Sequence, residues 1–332
     1  MIRRDRRPIR FLVLGGTGFF GRSLLDYLLR VDGRLCVGDE VIFASRRPDA
    51  LNLCVTNCFG VKVSTLVYDV ASAEALPECD VVIHAAAASD SSRYKLAPDE
   101  VWRTIVDGTR KVLDRLKASS RSVKLIYISS GAVYGRQHAD ISHIKEDAFF
   151  NDVLEPNKVD YALAKRAAER AVIDFARTFD RSAIIARCFS FVGPFLPTEA
   201  HFAIGNMMAD IEAGRSVYIR ASHPVFRSYM GSEELWDALL KMSESSDFRG
   251  EAFNVGSGES VELHEVGIEL GRRYGVGYSG LDFGSLSHQQ IDHYVPDVSK
   301  MLSTFSLPQC QDVYQLVDAV LARRKAINSR SL

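Results

Sequence analysis

The segment Phe11-Leu-Val-Leu-Gly15-Gly16-Thr17-Gly18-Phe19-Phe20-Gly21 constrains the fold of this chain more than any other. Four apolar residues run into glycines at 15, 18 and 21, and an amphipathic stretch follows at once. A short apolar run bounded by glycine reads as a strand buried on both faces. Glycines at three-residue spacing let the chain turn tightly, bring backbone amides close to a ligand and pack the next helix against the sheet. The start of that helix adds positive potential, so the turn suits a pyrophosphate. A loop serving only chain reversal would not need regular glycine spacing at a strand end. The segment therefore predicts a dinucleotide site with Gly15, Thr17, Gly18, Phe19, Phe20 and Gly21 around the phosphates.

The first half repeats this strand-then-helix rhythm. Arg10–Leu14, Glu40–Ala44, Lys62–Tyr68, Asp80–His84, Lys124–Ser129 and Ser182–Arg187 read as buried strands. Helical patterns lie near Gly21–Leu29, Pro98–Ala118 and Val159–Phe179. Such alternation predicts an α/β fold, a Rossmann-type doubly wound parallel sheet with helices on both faces. After Gly193-Pro194 the rhythm weakens. Helices are expected at Ala203–Ala213, Ser232–Ser243 and Val261–Tyr274, a strand near Ser216–Arg220, and loop plus a short strand over Gly275–Leu286. The expected division is a dinucleotide-binding domain over 1–193 and a smaller C-terminal substrate-binding lobe over 194–332, some of whose segments return to the main domain.

Composition excludes more than it selects. With 41 basic and 42 acidic residues among 332, the net charge of −1 points to neither nucleic acid nor an acidic membrane as the main partner. The basic start Arg3-Arg4-Asp5-Arg6-Arg7 reads as a solvated terminus. No apolar run reaches the ~18–20 residues that span a bilayer, and no secretory leader pattern is present. Six scattered cysteines, none in a C-x-x-C pair, suit reduced thiols in a cytoplasmic protein, with no metal site expected.

Two further features carry chemistry. Where the second strand ends, an acidic residue would bind the adenosine ribose and repel a 2′-phosphate. This chain has Ser45, Arg46 and Arg47 there. An arginine pairs well with a phosphate, so NADP(H) is expected over NAD(H), unless both arginines are simply solvated. The second feature is Tyr161-Ala-Leu-Ala-Lys165, downstream of Ser129-Ser130. Residues four apart share a helix face, so phenol and ammonium can enter one pocket. Free tyrosine titrates near ~10. A cation about 4 Å away, at an effective dielectric of ~20, favours phenolate by a few kcal/mol. With Ser130 holding a carbonyl or alcohol in line, the set would interconvert alcohol and ketone. Taken alone, this spacing is also common by chance.

Together these residues make the chain resemble an extended short-chain dehydrogenase/reductase, in the branch of NAD(P)-dependent nucleotide-sugar epimerases, dehydratases and ketoreductases. The matching pieces are the glycine turn, Asp69-Val70, His84-Ala85-Ala86, Ser129-Ser130-Gly-Ala-Val-Tyr-Gly135, Tyr161-x-x-x-Lys165, Arg187-Cys-Phe-Ser-Phe-Val-Gly-Pro194, Arg227-Ser-Tyr229 and Phe253-Asn-Val-Gly256. The resemblance implies that Asp69 and Val70 contact adenine. It places His84, Ala85, Ala86 and Ala87 beside the cofactor phosphates and ribose, and Lys165 on the nicotinamide ribose. Ser130 and Tyr161 then take the catalytic positions, and Arg227 the diphosphate of a nucleotide sugar. Ser190 and Asn206 are further substrate candidates. Phe195, His201 and Arg220 could equally be pocket wall, core or surface. A homodimer through the helices at Pro98–Ala118 and Val159–Phe179 is also implied.

The departures from that pattern narrow the reaction. Dehydratases of this kind follow the catalytic Ser/Thr with Asp-Glu; here Gly131 and Ala132 cannot ionise. Elimination of water, and a decarboxylation needing that glutamate, are therefore not expected. Ile105 and Ser190 stand where the family often has asparagine. What remains is hydride and proton transfer at a sugar carbon, most simply C4 of a 4-keto-6-deoxyhexose. A redox-neutral 4-epimerase uses the same residues, and a non-catalytic cofactor sensor or scaffold keeps the same fold.

Overall fold

In a computed structural model of the chain, the described residues are 6–31, 35–53, 56–72, 75–87, 98–119, 121–138, 140–148, 154, 159–198, 202–280 and 291–329. The core begins with β1 (Arg10–Leu14), whose Phe11 to Leu14 are all at most 2% exposed. Its neighbours are β2 (Glu40–Ser45), β3 (Asn57–Cys58), β4 (Val61–Val67), β5 (Val81–His84), β6 (Lys124–Ser130) and β7 (Ala183–Cys188). With the strand Arg249–Val255 they form an eight-stranded sheet in the order Arg249–Val255, β7, β6, β5, β1, β2, β4, β3. The pairs β1/β2, β1/β5, β2/β4 and β5/β6 are parallel, and β3 runs antiparallel to β4. Near-continuous apolar strands are what a sheet covered on both faces requires.

The strand order places the site. β1 is flanked by β2 on one side and β5 on the other, so the order reverses there and a crevice opens beyond the carboxyl ends of the strands. The register brings those ends level: Leu14 is opposite both Ala44 and His84, and His84 is opposite Tyr127. Every site residue expected in the first half, apart from those on the helix Val159–Thr178, therefore leaves the sheet at this edge or opens the helix Phe19–Leu28.

The observed elements adjust the sequence reading at several points. The first helix starts at Phe19, because Gly18 already takes the N-cap position. The stretch Pro98–Ala118 is interrupted by a π-helical turn, Arg103–Asp107, between the helices Pro98–Trp102 and Gly108–Ala118. Thr109 Oγ1 donates to the Ile105 carbonyl at 2.5 Å, satisfying backbone where the turn widens. Of Val261–Tyr274, the first two residues form a strand and the helix begins at Leu263. There the Glu262 carboxylate accepts from the amides of His264 and Glu265 as an N-cap.

By contacts the chain divides into two units. One comprises Met1–Val133, Pro156–Arg187 and Trp236–Phe253; the other comprises Tyr134–Glu155, Cys188–Leu235 and Asn254–Leu332. The second unit contains a three-stranded sheet, Val261–Glu262, Val225–Arg227 and Asp292–Tyr294, and two two-stranded pairs. Its helices include Ala203–Glu212, Leu263–Tyr274 and Val313–Asn328. The short strand Tyr278–Gly280 lies in the glycine- and serine-rich stretch, whose residues 281–286 fall outside the described residues. No described helix is long and apolar enough to cross a membrane. Five described cysteines are free thiols, and no metal-holding cluster occurs among the described residues.

Candidate active site

The glycine turn is shaped by steric need. Gly15 has φ of +89°, and a Cβ there would lie 2.7 Å from the Ala85 carbonyl oxygen. At Gly21 a Cβ would lie 1.9 Å from the Gly16 carbonyl oxygen, so only glycine lets helix and turn pack together. Gly18 supplies no side-chain cap and the first turn holds no acidic residue. The positive end of the helix dipole is therefore not offset by a side chain of the N-cap or of the first turn, which favours an anion there. Arg22 braces the loop, donating to the carbonyls of Thr17 and Ala50. Phe19 and Phe20 pack edge to face, and the Phe20 carbonyl accepts from Trp236 Nε1. A backbone cradle that a Cβ at Gly15, Gly16 or Gly21 would fill, beside a helix start without a side-chain cap, fits the pyrophosphate of a dinucleotide.

Around that turn the other expected residues assemble along the sheet edge. Ser45 ends β2, its hydroxyl buried and unpartnered among the described residues. Arg46 and Arg47 are exposed beyond it, with Arg46 3.8 Å from Glu100. Asp69 accepts from the Ala71 amide, a local turn, and Val70 is buried. The Ala85 amide donates to the Leu14 carbonyl, while Ala86 and Ala87 pack on the core.

His84 is fully enclosed at the end of β5, 1% exposed. Because Thr109 Oγ1 gives its proton to Ile105, its oxygen accepts from His84 Nε2 at 3.2 Å. Burial, then the Lys165 charge, push His84 down to about 3. The unfolded chain therefore takes a proton near pH ~6.5 that the folded chain refuses. His84 supports the folded state fully above that pH, and the support is lost as pH falls from about 6.5 toward 3. The loss is at most ~1.4 kcal/mol per pH unit. Urea unfolding of His84→Gln across this window should show a shallower fall of stability than the parent; equal slopes would remove His84 from the pH dependence.

Ser130, Tyr161 and Lys165 come from the end of β6 and from the helix Val159–Thr178. Lys165 is 2% exposed and its Nζ donates to the Ile128 carbonyl at 2.6 Å. The same nitrogen lies 4.8 Å from the Tyr127 ring centre and 5.8 Å from that of Tyr161. Two phenols thus flank one ammonium, and burial separates their roles. Tyr127 is sealed in the core, and burial first, then neighbouring Tyr161 and Glu169, hold its phenol protonated. Tyr161 is only partly buried, so it is the phenol that can reach a ligand. Ser130 is likewise partly exposed, its oxygen accepting from the Ala132 amide at 3.2 Å. The turn Gly131–Tyr134 adds no carboxylate.

Sequence reasoning missed the support beneath this set. Glu169 is 2% exposed and accepts from Ser129 Oγ at 2.5 Å. Arg187 Nε lies 3.1 and 3.2 Å from the two Glu169 oxygens, and Nη2 lies 2.8 Å from Oε2. The available signal was a glutamate four residues after Lys165 on an alanine-rich helix face.

Ser190, Asn206 and Arg227 belong to the second unit. Ser190 is partly buried and Asn206 sits on Ala203–Glu212. Arg227 donates to Asp292 at 2.7 Å, a partner 65 residues away. Phe195 is partly buried and Arg220 exposed, while His201 lies outside the described residues.

Three comparisons with known proteins bear on this arrangement. The sequence profile described as "NAD dependent epimerase/dehydratase family" matches residues 11–256. UDP-glucuronic acid decarboxylase 1 of Arabidopsis thaliana is 28% identical over 274 residues, 80% of this chain but only 59% of that protein. The GDP-6-deoxy-D-mannose reductase of Pseudomonas aeruginosa is 28% identical over 267 residues, 79% of this chain and 78% of that protein. Among solved structures, the UDP-N-acetylglucosamine 4-epimerase of Methanobrevibacter ruminantium M1 superposes with a TM-score of 0.78 at 21% identity, covering 97% of this chain and 100% of that one. That last likeness establishes the fold alone.

Proposed function

The chain belongs to the NAD dependent epimerase/dehydratase family, and from that membership we propose that it is a nucleotide-sugar 4-ketoreductase. Its substrate is a nucleoside-diphospho-4-keto-6-deoxyhexose. The observation that carries this reading is a partly exposed Tyr161 and Ser130 at a buried Lys165, followed directly by Gly131 and Ala132. Similarity to plant decarboxylases alone would favour loss of a carboxylate, but the position after Ser130 has no acid to assist it. Similarity to a bacterial reductase agrees with the residues present.

In this reading Gly15, Thr17, Gly18, Phe19, Phe20 and Gly21 hold the cofactor's phosphates, with Asp69, Val70 and His84 to Ala87 along its length. When bound, the nicotinamide supplies the hydride. Ser130 orients the ketone oxygen, and Tyr161 hands it a proton. Lys165 favours the phenolate left behind and holds the nicotinamide ribose. Arg46 and Arg47 select NADP(H), which suits an enzyme that exchanges its cofactor at every turnover. The second unit binds the nucleotide sugar through Ser190, Asn206 and Arg227. Leu163 on the helix Val159–Thr178 and Phe179 just beyond its end are exposed, and that helix is proposed to form a homodimer together with the stretch Pro98–Ala118.

A second reading, a 4-epimerase, is favoured by Glu100 beside Arg46: a carboxylate there weighs against a 2′-phosphate. Purified protein mixed with UDP-, GDP- and dTDP-linked 4-keto-6-deoxyhexoses separates the two. The reductase consumes NADPH in proportion to substrate, and faster than NADH. Equal use of both cofactors would defeat the NADP(H) preference. No net consumption, with interconversion of ordinary nucleotide sugars, would defeat the reductase.

A further inference from the structure

Resting on the assignment of Ser130, Tyr161 and Lys165 above, we propose that Ser129, Glu169 and Arg187 are positioning residues that lock the strand carrying Ser130 against the helix carrying Tyr161 and Lys165. Two consecutive residues of β6 are tied to two side chains one helical turn apart. The Ile128 carbonyl accepts from Lys165 Nζ, and Ser129 Oγ donates to Glu169. One bond alone would let strand and helix pivot; two fix both distance and register. Arg187, from β7, closes the assembly from the next strand by gripping both Glu169 oxygens. Side-chain exposure is 7% for Arg187 and 3% for Glu169, so water does not compete for these bonds.

Nothing in the proposed chemistry uses this carboxylate. It does not stand where a substrate could reach it, and its charge is answered by Arg187. Ser129 is the informative residue, because it links strand to helix yet carries no charge. Its neighbour Ser130 is the proposed substrate contact. A serine joined to the helix therefore sits one residue from a serine that must meet a ketone in line with Tyr161. Proton and hydride transfer tolerate little misplacement: about 1 Å can cost ~10²-fold in rate.

The test compares Ser129→Ala with Ser129→Thr, which keeps the hydroxyl, and with Ser243→Ala. Ser243 is a buried serine in the same unit whose hydroxyl donates to the Leu240 carbonyl of its own helix. With NADPH and the 4-keto-sugar panel, Ser129→Ala should lower kcat about tenfold to a hundredfold. NADPH affinity should stay within about twofold, since the glycine cradle is untouched. Ser129→Thr should recover most of the rate, and Ser243→Ala should lose melting temperature without losing kcat. A readout needing no substrate is the phenolate absorbance of Tyr161, taken as the difference between each protein and its Tyr161→Phe version. Ser129→Ala should move that titration upward by about half a pH unit or more, as lysine and phenol lose alignment.

A kcat within about twofold of the parent, an unmoved Tyr161 titration, or an equal kcat loss in Ser243→Ala would overturn the positioning role. If Tyr161→Phe is inactive while Ser129→Ala is normal, only the positioning role fails. If Tyr161→Phe turns over normally, the assignment of the site itself fails.

Discussion

Tyr161→Phe should lower turnover by about 10²–10⁴-fold, the usual contribution of a positioned proton donor. Only the phenolic oxygen is removed, so the ring keeps its packing against the core and its place beside Lys165. NADPH affinity should therefore change little, because the glycine turn, β2 end and β5 end are untouched. The loss should appear in kcat and kcat/KM together, as expected for an interaction made in the transition state. Tyr127 offers no rescue: it is buried, and its phenol is held protonated by that burial. A Tyr161→Phe protein retaining most of its turnover would remove the residue from the chemistry. Equal loss of cofactor binding would instead mark it as a binding residue.

Glu169→Ala should destabilise the first unit by about 3–5 kcal/mol. The Arg187 guanidinium stays buried after the change, with its carboxylate partner gone. The Ser129 hydroxyl loses its acceptor as well. The double variant Glu169→Leu/Arg187→Met should regain much of the loss, because apolar residues of similar volume need no counter-charge. Denaturant unfolding followed by circular dichroism measures both. A single variant within about 1 kcal/mol of the parent would show that the pair is solvated or dispensable.

These two residues also show what the sequence can disclose. The glycine turn is readable because its requirement is local: a positive φ at Gly15 and a backbone contact at Gly21 admit one residue type. The buried strands β1, β2, β4, β5, β6 and β7 are readable to within about a residue at each end, because apolar runs between breakers have few other solutions. Tyr161 and Lys165 share a helix face by spacing alone. Partnerships between distant segments are not readable in this way. The strand Arg249–Val255, with charge and glycine at its start, gains its place only by lying beside β7. Glu169 looks like a surface charge until Ser129 and Arg187 converge on it. Arg227 and Asp292 meet across 65 residues, and no local pattern announces the pair. The helix Val313–Asn328 carries no motif that ties it to a site; its apolar residues Val313, Leu316, Val317, Val320 and Leu321 are buried within the second unit.

The central claim is that Tyr161 and a reduced cofactor act on a ketone delivered from solution, and that the cofactor leaves oxidised. NADPH carrying deuterium at the transferable position of C4 tests this directly, with the nucleoside-diphospho-4-keto-6-deoxyhexose panel as acceptor. Mass spectrometry and proton NMR should find one deuterium at the sugar's C4 for each NADPH oxidised, with labelling at least about 10²-fold slower in the Tyr161→Phe protein. Product free of deuterium, with NADPH undiminished and two nucleotide sugars interconverting, would contradict the reductase.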